Sequence, residues 1–372
     1  MTTLIFILIL SFLVIIHELG HFWLAKKNGV KVHEFGFGYP PKIAKLFRWK
    51  KTDFTLNLIP LGGFVRLDGE EFDPADKKDS SSKGAFYNKS AKARLAIIFA
   101  GPLANIIYAL LVFSIVFSVM GIPRDLDGRA RIAEIAPGSP AAEVGVEADY
   151  EIVGFKLFGD AIDTPKIQDV IDFTKINRGE EVTIKLQGPC DQDVCQDNFV
   201  EKEIYIRTEA EVTEGQGAMG VVFGDFYFEK RAWFIQPFLG MWYGFKEAIS
   251  VAILIVMSLF TLFKEILTGA GVPDGLAGPV GIVHQASSNN LLDQGFLSVL
   301  GFSGMLSLNL GIMNILPIPA LDGGRMLFIF LERFIGKKRV QQFEGSANFG
   351  GFMILLGLII MISIRDIWRI FQ

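Results

Sequence analysis

The sequence predicts a polytopic α-helical membrane protein of about four spanning helices, carrying an inserted extracytoplasmic α+β domain and a membrane-associated β-hairpin. Of its 372 residues, 51% are hydrophobic and 12% aromatic, and the mean hydropathy is +0.39, which excludes an ordinary soluble enzyme. Several apolar stretches approach the roughly 20 residues needed to cross about 30 Å of hydrocarbon. The net charge of −4 hides a segregation: residues 22–94 hold 15 Lys/Arg against 8 Asp/Glu, and residues 124–230 hold 11 against 23. A basic and an acidic segment suit the two faces of a bilayer, and they argue against a nucleic-acid partner.

Residues 1–25 make the first span, apolar from Leu4 to Leu24 except at His17, Glu18 and His21. No Lys or Arg precedes it and no small-residue cleavage site follows, so it reads as a retained anchor. Lys26, Lys27 and Lys31 come after it, which sets the N-terminus outside and the 26–94 segment in the cytoplasm. Residues 95–122 return the chain outward. Of the later apolar stretches, 235–263, 296–316 and 349–364, the last two flank a basic loop at 332–345, with Arg333, Lys337, Lys338 and Arg339, that belongs inside. Parity then allows one full crossing between the acidic segment and that loop. Lys246 and Glu247 leave the 235–263 stretch with about 16 uncharged residues, short of a span. Within a 213–295 linker it is therefore expected to lie at the outer interface or to be partly re-entrant. Residues 296–331 become the third span and 346–372 the fourth.

The acidic segment 127–212 reads as a small β-rich domain. Strands are expected at Arg131 to Ile135, Glu181 to Leu186 and Phe199 to Ile206, with a helix near Ile167 to Ile176. The run Ile135-Ala-Pro-Gly-Ser-Pro-Ala-Ala-Glu-Val-Gly145 resembles the part of a PDZ domain where a strand ends and a short helix begins. The Gly-Asp-x-Ile that usually follows is here Ala148-Asp149-Tyr-Glu-Ile152, without the glycine. An unrelated small β domain is the alternative. Cys190 and Cys195, the only cysteines, lie in the same domain. They can form an extracytoplasmic disulfide or remain two thiols; zinc there lacks further ligands.

His17-Glu18-Leu19-Gly20-His21 is an HExxH motif. At 3.6 residues per turn the two histidines share a helix face and can converge on one Zn²⁺, with Glu18 beside it as a non-ligand. Ionisable groups inside a span are expensive and usually functional. A catalytic zinc commonly takes three protein ligands, and at membrane depth in the other spans only Asp322 qualifies. It follows Asn314-Ile-Leu-Pro317-Ile-Pro319-Ala-Leu and precedes Gly323-Gly324, residues that should open the helix into an irregular segment presenting the carboxylate.

The HExxH in the first span, Asn-x-x-Pro-x-Pro-x-Leu-Asp-Gly-Gly at 314–324, Phe99-Ala-Gly-Pro-Leu-Ala-Asn105 and the PDZ-like insertion together resemble the site-2 protease family. The similarity is to the bacterial regulator-of-sigma-E type, which often carries two PDZ domains where this chain has room for one. The resemblance implies zinc-dependent hydrolysis of a peptide bond inside the membrane, with His17, His21 and Asp322 holding Zn²⁺ and Glu18 as general base and then acid. It implies a single-span membrane-protein substrate, an anti-sigma factor being one candidate, and a peptide or carboxy-terminus at the PDZ-like domain. It also implies a place in the bacterial inner membrane. Asn314 is placed either to hydrogen-bond substrate backbone or to satisfy a carbonyl that the prolines free. Asn105 is assigned helix packing first and a substrate contact second. Gly36-Phe-Gly38 and the 53–66 segment, which breaks at Pro60 and Gly62-Gly63, suggest a bent hairpin whose strand edge captures unwound substrate by strand addition; Phe54, Leu56 and Leu58 are its candidate contacts. Residues 70–84 are polar and expected to be a mobile cytoplasmic loop. His33 and His284 are expected in ordinary loops. The competing readings are a membrane metal transporter, which gives Glu18 no purpose, and an inactive membrane-anchored PDZ scaffold, which has no need of Glu18 and Asp322.

Overall fold

The first apolar stretch forms one helix, α1 (Thr2–Lys27), whose last turn carries Lys26 and Lys27 where the helix dipole favours cations. The computed structural model describes residues 2–70, 84–157, 160–163, 165–212, 216–268, 278–288, 291 and 294–370. The expected mobile loop at 70–84 therefore falls almost wholly outside the described residues. Contacts divide the chain into residues 1–116 with 241–372, and residues 117–240.

After α1 the chain enters two long bent strands, β1 (Val32–Trp49) and β2 (Thr52–Leu67). Their register doubles back. Phe35 pairs with both Phe54 and Val65, Gly36 with Thr55 and Phe64, while Thr55 and Phe54 pair a second time with Lys45 and Phe47. The hairpin is thus a small antiparallel sheet in which 53–57 lies between 42–48 and 34–37, and 63–67 forms an edge. Gly62 makes the bend at φ +73°, where an added Cβ would sit 2.8 Å from Val14 of α1; Ser11 pins it, accepting from the Gly62 N–H at 3.3 Å and donating to the Pro60 carbonyl at 2.8 Å. Phe22, Phe35, Phe54, Ile97 and Ile98 fill the core beneath the sheet. The second span is α2 (Ala91–Met120), continuous through Pro102.

The acidic region is α+β. In chain order it contains β3 (Ile122–Asp125), β4 (Ile132–Ile135), α3 (Pro140–Glu143), β5 (Glu151–Leu157), β6 (Asp160–Asp163), α4 (Ile167–Ile176), β7 (Glu181–Gln187), β8 (Cys190–Asp191), β9 (Val194–Cys195), β10 (Phe199–Tyr205), β11 (Val221–Phe223) and β12 (Phe226–Glu229). β10, β7, β5 and β6 form an antiparallel four-stranded sheet in that order. Its buried faces, with Ile132, Ile152, Phe155, Val170, Ile184, Leu186 and Ile204, make one apolar core, as the strand alternation predicts. The expected end of this domain at 212 is too early. β11 pairs with β4 and β12 with β3, so the fold closes on residues beyond 220. The β8–β9 hairpin carries a Cys190–Cys195 disulfide.

Among the described residues five helices follow: α5 (Gln236–Thr268), α6 (Pro279–Ser288), α7 (Phe296–Ile315), α8 (Asp322–Ile335) and α9 (Lys337–Ile370). Several expectations change here. The 235–263 stretch is one continuous helix, and its Gln236–Leu262 part is long and apolar enough to cross a membrane, as are α1, α2, α7 and α9 among the described residues. Lys246 breaks the apolar count without breaking the helix, because it lies exposed with its ammonium 6.0 Å from the Tyr243 ring. The helix expected over 296–331 as the third span ends at Ile315, and Asp322 opens a separate helix. The basic segment 332–345 is helical for most of its length, and α9 starts inside it. His33 lies on β1, 3.0 Å from Asp68, and His284 on α6, so neither is in a loop.

α1, α2 and α7 set the depth of the site. α2 runs antiparallel to α1: Phe12 meets Tyr108 and His21 meets Ile97. α7 runs antiparallel to α2, with Ser303 bonded to Tyr108 at 2.9 Å and Ser307 donating to the Asn105 carbonyl at 3.0 Å. Hence α1 and α7 are parallel, and their C-terminal ends lie at one level.

Candidate active site

The HExxH of α1 turns His17 and His21 toward α2 and the start of α8. His17 Nε2 lies 2.9 Å from Asp322 Oδ2, His21 Nε2 lies 3.3 Å from the same oxygen, and the two Nε2 atoms are 3.1 Å apart. His21 Nδ1 donates to the Ile97 carbonyl at 2.9 Å. A carbonyl only accepts, so this bond fixes the proton on Nδ1 and leaves Nε2 as a lone-pair nitrogen aimed at its neighbours. The approach of α2 is possible because residue 101 is glycine: a Cβ there would lie 2.3 Å from His21 Nε2 and 2.7 Å from His17 Nε2. Pro317 and Pro319 end α7, and α8 begins with Asp322 itself. Ala320, two residues earlier, is held at φ +79°, and its N–H is taken by Asn348 Oδ1 of α9 at 3.0 Å.

These groups open into a cavity of about 380 Å³, lined also by Glu18, Asn105 and Asn314. Gly63, Phe64, Val65 and Leu67 of the β2 edge line it too. The Glu18 carboxylate is not part of the two-histidine and Asp322 cluster, and it accepts a hydrogen bond from the Val65 backbone. Arg325, one turn beyond Asp322, also lines the cavity and pairs with Glu70 at 2.5 Å. Further from it, Arg94 of α2 makes a two-pronged bond to Glu332 of α8, and Tyr87 donates to Glu344 of α9 at 2.8 Å. Burial first and the Glu344 carboxylate second hold the Tyr87 phenol above its ordinary pKa, so it stays a donor.

The model of Peptidase family M50 matches residues 5–358 of this chain. The chain belongs to peptidase family M50. Among similar proteins are a putative zinc metalloprotease of Clostridium acetobutylicum, 32% identical over 98% of this chain and 97% of the relative, and the zinc metalloprotease RasP of Oceanobacillus iheyensis, 31% identical over all of both. The regulator of sigma-W protease RasP of Bacillus subtilis is 26% identical, over 100% of this chain and 99% of the relative. With its long apolar helices this M50 peptidase is an integral membrane protein.

Its donor set fits a zinc ion. Two imidazole nitrogens and a carboxylate oxygen, all within 3.3 Å of one another, are the N/O chemistry that holds zinc at about 2.0–2.2 Å. The Nδ1–carbonyl bond of His21 is the supporting contact such a ligand needs. The buried His17 Nδ1 has no partner among the described residues.

Of the residues expected at the site, the structure brings together His17, Glu18, His21, Asp322, Asn105 and Asn314. Phe54, Leu56 and Leu58 do not line the cavity. Phe54 is 8% exposed in the core beneath the sheet, and Leu56 and Leu58 are exposed, Leu56 on a stretch already paired on both sides. The edge that faces the site is Gly63–Leu67. Arg325 and Glu70 went unforeseen, although Arg325 stands three residues from Asp322 on one helix face, a usable signal.

Proposed function

We propose that this M50 peptidase is a zinc-dependent intramembrane endopeptidase in which His17, His21 and Asp322 hold the metal and Glu18 carries the proton. The observation that carries the reading is the meeting of one carboxylate and two imidazoles from helices 305 residues apart in sequence, in a cavity that Glu18 also lines. Bound zinc would lower the pKa of water and polarise the scissile carbonyl. Glu18 takes the proton of the attacking water on its carboxylate and returns it to the leaving amine; the Val65 N–H orients that carboxylate. Asn314, half-buried and lining the cavity, donates to substrate backbone. The Gly63–Leu67 edge pairs with an unwound substrate segment by strand addition.

The substrate of this reading is a single-span membrane protein, an anti-sigma factor among the candidates, cleaved in the bacterial inner membrane. Four full crossings are favoured by helix direction. Val116 of α2 lies beside Gly301 of α7, so the chain makes an even number of crossings between them; in the four-crossing reading α5, whose first turns pack against α2 at Ser118 and Ser114, is partly re-entrant and does not complete one. The acidic domain is PDZ-like and extracytoplasmic: β11 has one paired edge and one open edge, and Val170 and Phe173 of α4 share its core, an arrangement suited to an added peptide or carboxy-terminus. It selects substrates and contributes nothing to the chemistry.

The test is cleavage of a single-span model substrate alongside zinc content. Glu18→Gln should keep zinc and lose cleavage by at least about 10²–10⁴-fold, the range of a general base. His17→Ala and Asp322→Asn should lose zinc as well. Cleavage by Glu18→Gln at the wild-type rate would overturn the mechanism.

A further inference from the structure

One buried group in the cavity has no part in the chemistry above. Asn105 of α2 is 0% exposed, yet neither its Nδ2 nor its Oδ1 has a hydrogen-bond partner among the described residues. It lies one turn beyond Gly101, the residue packed on the two histidines, and it lines the cavity with Glu18 and Asn314. Its backbone carbonyl already accepts from Ser307, so the position is anchored while the carboxamide is left over. Buried polar atoms in native proteins are nearly always paired, and an unpaired one is costlier than a leucine of similar shape. Helix packing alone would be served better by an apolar residue.

We infer that Asn105 clamps the substrate backbone on the side not taken by β2. The inference rests on the strand-capture reading of the site. In an extended chain each residue points its own N–H and C=O to one side, and successive residues alternate sides. A segment paired along Gly63–Leu67 therefore presents the N–H and C=O of every second residue to the opposite wall. A carboxamide offers one acceptor and a pair of donor hydrogens on neighbouring atoms, so Oδ1 takes the N–H and Nδ2 serves the C=O of a single substrate residue. The ligand is an extended peptide of any side-chain sequence. A substrate that stays helical keeps the same groups bonded internally and gains nothing from the clamp. Asn105 thus rewards unwinding next to the scissile bond and acts as a positioning and specificity-determining group.

The experiment uses the full chain, with Asn105→Leu, Glu18→Gln and wild type, on single-span substrates in which each residue flanking the scissile bond is replaced in turn by its ester analogue, which removes one backbone N–H. Zinc content and melting temperature are measured on the same preparations. Asn105→Leu should retain zinc, melt at or above the wild-type temperature, and lose about 10- to 100-fold in kcat/KM, the effect of two ordinary hydrogen bonds. One ester position should weaken wild type but leave Asn105→Leu unaffected. Wild-type kcat/KM in Asn105→Leu, or a lowered melting temperature with every ester effect unchanged, would overturn the clamp and leave the protease reading intact. Undiminished cleavage by Glu18→Gln would instead overturn the protease reading.

Discussion

The two units of the chain differ in what surrounds their buried polar groups. In residues 117–240 two buried arginines are held by backbone: Arg131 donates to the carbonyls of Cys190 and Gln192 and faces Asp149, and Arg207 donates to the carbonyls of Ala218 and Gly217 and to Gln216. Aliphatic side chains fill the neighbouring core. In the helical unit the apolar side chains turn outward, with Leu4, Leu8, Phe12, Leu111 and Ile115 all at least half exposed, as a lipid-facing surface requires. There His17 Nδ1 and both polar atoms of Asn105 are buried without partners among the described residues. A saturated buried group holds a fold together. An unsaturated one beside a cavity is a group held ready for a reactant.

The comparison predicts that small changes in the helical unit strike activity first. Gly101→Ala is the sharpest case, because its Cβ would press on both Nε2 atoms, at 2.3 and 2.7 Å. The rings must rotate away from Asp322, and zinc affinity and cleavage should fall about 10- to 100-fold, the range seen when the support of a metal ligand is disturbed. Zinc titration of the purified variant checks it. Normal affinity with normal cleavage would mean that α2 does not approach α1 as closely as described.

In the acidic unit the same kind of change should strike stability and spare the chemistry. Arg131→Met strips donors from the Cys190 and Gln192 carbonyls, and leaving two buried acceptors unpaired should cost about 2–4 kcal/mol. The expected result is a lowered melting transition with unaltered zinc content and unaltered cleavage of a substrate that has no outer domain. Lost zinc in this variant would break the distinction between the units.

How much of this was legible in sequence follows the same line. Ionisable residues in apolar stretches stand out, so His17, Glu18, His21 and Asp322 could be found from spacing and depth alone, and Asn105 and Asn314 from the motifs around them. Alternation exposed β4, β7 and β10, and α4 matches its expected bounds at Ile167 and Ile176. The rest depended on pairing between distant segments. β3 and β12 lie about a hundred residues apart in sequence and are four residues each, too short for any local pattern to announce them, which is why the domain end was set at 212. In the hairpin, alternation tells which face a side chain takes but not which strand lies at an edge. Phe54, Leu56 and Leu58 were therefore preferred over Gly63–Leu67, since the doubling back of β1 and β2 appears only in the register. For α5, Lys246 and Glu247 shortened the apolar count, although a helix with exposed charges continues undisturbed.

The smallest effect tests whether even a covalent link in the acidic unit stays clear of the chemistry. The Cys190–Cys195 disulfide closes the β8–β9 hairpin, with a separation of only 5 residues, so it removes little freedom from the unfolded chain. The chain-entropy relation, extended to so short a loop, gives on the order of 2 kcal/mol. Its position is nonetheless pertinent to stability, because the Cys190 carbonyl is one of the two that Arg131 holds. Replacing both cysteines by serine should lower the melting transition of the acidic unit by less than Arg131→Met does, since the backbone hydrogen bonds of the hairpin remain available. Cleavage and zinc content should not change. Two free thiols found by mass spectrometry of the non-reduced wild type would remove the bond, and cleavage lost with the disulfide while zinc is retained would show that the acidic unit presents substrate to the site.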